Sequence, residues 1–215
     1  MQQTRRIFIR LALAAALGTS ASAATIVYTT PADFAAATEN PTSIGFNGIL
    51  TPPQTFANFN PLTVAGISFA TPNAGTAVNV TAANYYGAGF SVPADFIVNS
   101  FNLGNNELDV TFSVPTFAFG LDYGAFSGGG LGTMTLSDGT VYMDHSLPGL
   151  ANTRFVGFVS DTAISSFSFV TSGDAWIVED LVIASPTPEP QSWIIVISTL
   201  LLGIPAVRRF GNTAR

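Results

Sequence analysis

Residues 107–123 read ELDVTFSVPTFAFGLDY, and apolar side chains alternate with polar or small ones on both sides of a central proline. Successive side chains of a β-strand point to opposite faces, so this alternation predicts strands with one buried face and one wet face. Pro115 cannot donate a hydrogen bond to a neighbouring strand. We therefore expect two strands, at 107–114 and 116–123, with a break or turn between them at Pro115.

The same period of two continues through most of residues 24–184. Asp138-Gly139, a dipeptide typical of β-hairpins, lies between predicted strands at 133–137 and 140–144. Helical signal is confined to 31–38, where Thr30 would cap the first turn. Further strands are predicted at 25–29, 43–47, 62–69, 77–81, 96–103, 155–159, 164–170 and 175–183. The predicted fold class is all-β, an antiparallel two-sheet β-sandwich with a jelly-roll-like arrangement over residues 24–185.

The composition excludes several classes of partner. The chain has 215 residues with no cysteine and no lysine, and the span 24–187 holds twelve acidic residues against Arg154 alone, a formal charge of −11. Nucleic acids and anionic lipid headgroups need clustered basic side chains, so this span is a poor partner for either. Because no disulfide can form, the domain must be held together by burial or by a bound ion.

The N-terminus, residues 1–23, is typical of a signal peptide. Its parts are the basic Arg5, Arg6 and Arg10, an apolar run at 11–17, and the small residues Ala21, Ser22 and Ala23 at the cleavage positions. The paired arginines with Phe8 resemble the twin-arginine export motif. The general secretory route stays open, because no basic residue lies next to the cleavage site. Either route implies export across the inner membrane.

Residues 186–215 are typical of a C-terminal membrane anchor. A proline-rich linker at 186–192 leads into an apolar run at 193–207, which is near the minimum length for a transmembrane helix. A basic cytoplasmic tail at 208–215 follows and begins with Arg208 and Arg209. An apolar helix with cationic side chains at its cytoplasmic end has the polarity expected of a membrane span.

The motif Pro188-Glu189-Pro190, followed by an apolar helix and a basic cluster, resembles the PEP-CTERM sorting signal of Gram-negative bacteria. The resemblance implies an exosortase, a membrane-embedded cysteine protease, as the partner that cuts near the motif. It also implies an inner-membrane-anchored intermediate that later reaches the cell surface, the outer membrane or the extracellular matrix. An ordinary anchor that is never cut is the alternative.

Short phrases at 62–69, 117–122, 158–161 and 176–181 are similar to the β-sandwich domain commonly found ahead of this sorting signal. The resemblance implies an association with exopolysaccharide and biofilm, and many such domains have no known activity. A shared fold does not by itself establish a function.

Catalytic candidates are few. His145 is the single histidine, and a serine-histidine-aspartate arrangement would depend on it; we expect a surface histidine in a loop. A glycoside hydrolase would need two facing carboxylates, for which the candidates are Asp122, Asp144, Asp174, Glu179 and Asp180. Nothing in the sequence brings two of them together, so we expect no enzyme activity.

The acidic residues favour a cation instead. Glu179 and Asp180 occupy adjacent positions of the last predicted strand, so at most one of them should point inward. We expect Asp180 to be the inward member and to hold a structural calcium ion, because Ca²⁺ prefers carboxylate and loop carbonyl oxygens. Two exposed charges on an edge strand are the alternative.

A glycine-rich aromatic loop is the candidate for sugar binding. It contains Asn84, Tyr85, Tyr86 and Phe90, whose rings could stack on a sugar while the amide bonds hydroxyl groups. Rings that plug the end of the sandwich are the structural alternative. Two functions therefore stay open: a non-catalytic surface or matrix module that binds polysaccharide, and a purely structural surface domain without a ligand. A secreted glycan hydrolase is a third, less favoured by the residues.

Overall fold

The computed structural model describes residues 24–72, 76–83, 85–87, 94–99 and 105–187. The predicted signal peptide and the predicted tail from residue 188 onward, with the sorting motif, lie outside these ranges. The described elements, in chain order, are β1 (Thr25–Tyr28), α1 (Pro31–Ala36), β2 (Thr38–Gly45), β3 (Phe56–Phe59), β4 (Leu62–Val64), β5 (Ile67–Ala70), β6 (Val78–Thr81), β7 (Phe96–Asn99), β8 (Asn105–Ala125), β9 (Gly132–Leu136), β10 (Val141–Asp144), a 3₁₀ turn (Leu150–Asn152), β11 (Arg154–Ser172) and β12 (Trp176–Pro186).

All described strand pairs are antiparallel, which confirms the predicted all-β class. One layer contains β4, β5, the first half of β8, the second half of β11, β9 and β10. The other contains β1, the first half of β11, the second half of β8, β12, β2, β7, β6 and β3. The long strands β8 and β11 run through both layers, so the hydrogen-bonded ladder is continuous rather than split into two sheets.

Aromatic rings fill the space between the layers. Phe112 and Phe119, on the two halves of β8, have ring centroids 5.3 Å apart. Phe119 also stacks on Phe167 at 4.9 Å, and Tyr123 meets Phe169 edge-on at 5.6 Å. Each ring buries a large apolar area, so these contacts are a main source of the favourable free energy of folding.

The prediction that one strand ends and another begins at Pro115 is wrong. Strand β8 continues through Pro115, and β11 is likewise one strand where two were predicted. The reason lies in the register between them, which shifts between Val159 and Ile164 and again before Ser166. Pro115 falls in this irregular part of the ladder, where the N–H group that proline lacks has no ladder bond to make. The proline therefore marks the bend between layers and not the end of a strand.

Local signals were confirmed where they involved a few neighbouring residues. Thr30 caps α1, its hydroxyl oxygen accepting a hydrogen bond from the Asp33 N–H at 3.1 Å. The Asp138-Gly139 dipeptide joins β9 and β10, with Gly139 at a φ of 90°. The single strand predicted at 62–69 is instead the β4–β5 hairpin, turned by Ala65 and Gly66 at positive φ. Strand β3 was not predicted.

Candidate functional site

The aromatic loop that the sequence singled out lies over the outer face of β3, β6 and β7. Tyr85 and Tyr86 follow β6 after a tight turn, in which the Tyr85 N–H donates to the Ala82 carbonyl at 2.9 Å. The Asp95 carboxylate accepts from the Ala83 N–H at 3.3 Å and anchors the start of the loop. Asn84 and Phe90, the other predicted members, lie outside the described residues.

The strand register sets the floor beneath the loop. One row across the three strands is Phe56, Thr81 and Phe96, and the next is Asn58, Asn79 and Val98. Residues directly opposite each other in a ladder share a face of the sheet, so both rows point to the same side. The alternate residues Val78 and Val80 point to the main core. The outer face of this ladder thus carries aromatic and amide side chains together.

Three aromatic contacts build the walls. Tyr85 stacks on Phe56, with centroids 5.4 Å apart and planes inclined at 26°. Tyr86 meets Tyr85 edge-on at 4.9 Å and Phe126 edge-on at 4.7 Å. Phe126 follows β8 and is held there because its N–H donates to the Ala175 carbonyl at 2.9 Å.

These side chains enclose a cavity of about 440 Å³, here called the aromatic groove, lined by Phe56, Asn79, Tyr85, Tyr86, Val98, Asn99, Phe126 and Ala175. Its volume is in the range of about 300–1,000 Å³ found for small-molecule sites. Tyr85 remains 46% exposed at the rim, so one end of the groove is open to solvent.

The groove is uncharged, and it contains an unsatisfied acceptor. None of the lining residues carries a carboxylate, an amine or a guanidinium. Asn79 is only 4% exposed, and its Oδ1 has no hydrogen-bond partner among the described residues. Burial raises the pKa of the Tyr86 phenol and nearby Tyr85 adds to this, whereas the Thr81 hydroxyl opposes it. The Tyr86 phenol therefore stays protonated at neutral pH.

Sequence reasoning found two of the groove residues and missed the rest. Phe56 lies in β3, which was not predicted. Phe126 follows β8, which was predicted to end at Tyr123. Asn79 was within a predicted strand, where alternation with Val78 and Val80 assigns it to the wet face. The tyrosine loop, Phe126 and Ala175 together make that face a buried one.

The prediction that Asp180 is the inward carboxylate is wrong. Glu179 is the buried member, 8% exposed, and Asp180 is only partly buried. The β12 register against β8 shifts between Val178 and Leu181, so both acids lie opposite Asp122 in a bulge. A bulge suspends strict alternation, which is why the two acids do not take simple opposite faces.

These three carboxylates repel one another. Burial is the main cause that raises the pKa values of Asp122, Glu179 and Asp180. The Asp180 charge adds to the rise at Asp122, and both neighbours add to it at Glu179, where a hydrogen bond from Thr153 at 3.0 Å opposes it. Among the described residues, no three potential ligands are arranged to hold a metal ion, and the predicted calcium site stays a prediction.

The remaining acidic candidates have internal partners. Asp144 accepts hydrogen bonds from the Arg154 guanidinium at 2.6 Å and from the Tyr123 hydroxyl at 2.7 Å. Burial, together with the hydrogen bonds to Tyr142 and Asp144, holds the pKa of Tyr123 well above its usual value. Asp174 accepts from the backbone N–H groups of Ser127 and Ala175 and so fixes a loop. His145 is exposed in the segment after β10.

Neither helix in the described part of the chain is long and apolar enough to cross a membrane. The transmembrane helix predicted at 193–207 lies outside that part.

Comparison with known proteins gives distant structural matches only. No protein-family model matches the chain, and no curated protein sequence has significant similarity to it. A family 29 carbohydrate-binding module from Piromyces equi matches with a TM-score of 0.34 and 8% identity, over 61% of this chain and 90% of that module. A family 6 carbohydrate-binding module matches with a TM-score of 0.36 and 14% identity, over 55% of this chain and 87% of the module.

A family two carbohydrate esterase from Cellvibrio japonicus also matches, with a TM-score of 0.32 and 10% identity, over 78% of this chain and 36% of the esterase. TM-scores below 0.5 at these identities establish neither a common topology nor a common ligand.

Proposed function

We propose that this protein is an exported, non-catalytic surface or matrix module whose β-sandwich binds polysaccharide in the aromatic groove. The observation that carries the proposal is the combination of stacked aromatic walls with a buried amide oxygen, Asn79 Oδ1, that has no partner among the described residues. An apolar ring face can lie on the C–H face of a sugar, and an amide can bond a sugar hydroxyl. Few other ligand classes offer both kinds of contact within one small unit.

The electrostatics support a binding module over an enzyme. Glycoside hydrolysis needs two carboxylates facing each other across the bond. The described lining residues of the groove include none, and the clustered acids Asp122, Glu179 and Asp180 are not among them. Asp144 and Asp174 are engaged in structural hydrogen bonds.

The position of the groove at the start of β12 supports a binding site that lies away from the membrane. Ala175, in the groove, immediately precedes β12, and Pro186 ends it on the way to the predicted tail. A strand of 11 residues at about 3.3 Å per residue is roughly 35 Å long. A groove at one end of β12 and an anchor after the other would place about that length of strand between the ligand site and the start of the predicted tail.

The proposal extends to sorting. We propose that residues 1–23 are a signal peptide and that an exosortase recognises Pro188-Glu189-Pro190. The protein would then pass through the inner membrane to the surface, the outer membrane or the matrix, where it has a role in biofilm. We also propose that the two layers of the domain are connected as in a jelly roll. Intact-mass analysis of the protein from its host tests the sorting part: a mass ending near Pro190, from the surface or medium, is expected. A full-length mass in the inner membrane would mean a plain anchor.

Binding is tested with full-length protein in a detergent without sugar groups, on arrays of bacterial polysaccharides and in affinity electrophoresis. Tyr85→Ala is the test variant, and Phe117→Ala is its control, because the two rings are exposed to a similar extent, 46% and 44%. Stacking of a ring on a ligand contributes on the order of 1 kcal/mol, so Tyr85→Ala should weaken binding about fivefold or more. Equal binding by both variants, or binding to no glycan, would leave only a structural surface domain.

Calcium binding is a separate part of the proposal, and its proposed ligands are the adjacent residues Glu179 and Asp180. A structural ion would raise the melting temperature through mass action as calcium is added. The control is Glu179→Gln, in which the rise should disappear. An unchanged melting temperature in the wild type would exclude the ion.

A further inference from the structure

We propose that the aromatic groove is specific for an uncharged pyranose unit that donates a hydroxyl hydrogen bond to Oδ1 of Asn79. This inference rests on the proposed polysaccharide binding and names the chemistry of its ligand. It uses the buried amide, the rows of side chains on the groove floor and the distribution of charge in the domain.

The hydrogen-bonding character of the unpaired atom determines which group the ligand must supply. Oδ1 of an asparagine accepts hydrogen bonds and cannot donate them. A buried acceptor left without a partner destabilises the folded state, and such groups in native proteins call for an explanation. Asn79 lines the groove and is 4% exposed, and its Oδ1 has no partner among the described residues. A ligand that completes it must therefore bring a donor, as every sugar hydroxyl does.

The floor of the aromatic groove offers a ligand both polar and apolar contacts. Asn79 lies between Asn58 and Val98, and the adjacent row consists of Phe56, Thr81 and Phe96. Asn99 also lines the groove, and its Oδ1 likewise has no partner among the described residues. A pyranose offers hydroxyls toward these amides and C–H groups toward the rings.

The distribution of charge excludes acidic sugars. Uronates, sulfated sugars and phosphorylated sugars are bound through arginine or lysine. In the span 24–187 Arg154 is the only arginine, there is no lysine, and the Arg154 guanidinium is paired with Asp144. The formal charge of −11 over that span would repel an anionic polymer at low salt. A neutral sugar carries no such penalty.

Titration calorimetry with full-length protein in a sugar-free detergent tests the inference. The neutral probes are cellohexaose and mannohexaose, and the acidic probes are oligogalacturonate and oligomannuronate of matched length. We expect a neutral probe to bind at least tenfold more tightly than an acidic one. Asn79→Leu removes the acceptor but keeps the branched arrangement of heavy atoms, and it should weaken binding of the neutral probe about fivefold to tenfold. Asn79→Asp keeps an acceptor and should retain more of the affinity than Asn79→Leu.

The outcomes separate this inference from the proposed function. Tighter binding of acidic probes, or equal affinity of Asn79→Leu and the wild type while Tyr85→Ala loses binding, would overturn the inference and leave the groove as a polysaccharide site. Binding of none of the probes, with no polysaccharide bound on the arrays either, would overturn both. Phe117→Ala is the folding control and should bind as the wild type does.

Discussion

Asn79 offers a test of the groove that requires no ligand. The side chain is 4% exposed, and Oδ1 is unpaired in the free protein. An unsatisfied buried polar group costs about 1–3 kcal/mol, and replacing it with an apolar group of the same shape is neutral or stabilising. Leucine has the heavy-atom branching of asparagine but a larger volume, and the groove beside Asn79 leaves room for its methyl groups. Val98 lies directly opposite. We therefore expect Asn79→Leu to raise the free energy of unfolding by about 1 kcal/mol.

The assay is thermal unfolding of full-length protein followed by circular dichroism at pH 7 without glycan. For a domain of this size, 1 kcal/mol corresponds to a rise of about 2–4 °C in the melting temperature. Asn99→Leu is a matched control. Asn99 Oδ1 is also unpaired, but its Nδ2 donates to Oδ1 of the buried Asn106 at 2.7 Å. Removing that amide takes away a donor from Asn106, so Asn99→Leu should lower the melting temperature.

The combination of the two variants is diagnostic. A protein that carries an unpaired amide for its ligand should become more stable and bind more weakly when Asn79 is replaced by leucine. A fall of more than 2 °C for Asn79→Leu would refute the reasoning, since it would show that the Asn79 amide stabilises the free fold. The same fall for both variants would mean that neither amide is reserved for a ligand.

Three further changes test the folded domain. Glu179→Gln should raise the melting temperature at pH 7, because burial and Asp122 hold the pKa of the Glu179 carboxyl above its usual value, so the charged form destabilises the fold. The difference from the wild type should shrink as the pH falls through that raised pKa, and a difference constant with pH would contradict this cause. Asp144→Ala should lower the free energy of unfolding in urea by about 2–4 kcal/mol, because it removes the hydrogen bonds that Asp144 accepts from Tyr123 and from the half-exposed Arg154. A decrease below about 0.5 kcal/mol would contradict this reasoning. Gly157→Ala should cost about 1–3 kcal/mol in the same assay, because the added Cβ would clash with the Phe34 ring. Wild-type stability would show that the Phe34 ring can move aside.

The sequence predicted those parts of the fold that depend on neighbouring residues. Alternation in 107–114 and 116–123 located strand β8, and the Asp138-Gly139 turn located the β9–β10 hairpin. The Thr30 cap located α1. Each of these signals acts within about four residues, where backbone geometry and side-chain spacing leave few choices.

The site was only partly predictable for a physical reason. Tyr85 and Tyr86 were recognised because aromatic rings beside an amide in a glycine-rich loop can stack on a sugar, with rings that plug the end of the sandwich as the alternative. Their role as walls depends on Phe56 and Phe126, which are brought to them by pairing between β3 and β6 and by packing against Ala175. No local pattern in the sequence states which distant residues will be neighbours.

Composition, side-chain period and turn chemistry are properties of short segments, so they were sufficient to predict the strand-rich class, the acidic charge, the helix cap and the hairpin. Three features could be seen only in the folded chain: the continuous bend through Pro115, the bulge that buries Glu179 rather than Asp180, and the burial of Asn79 beneath an aromatic loop. All three depend on register between strands far apart in the chain. Register is set by the combined packing of both layers, and a shift of one residue reverses which side chains are buried.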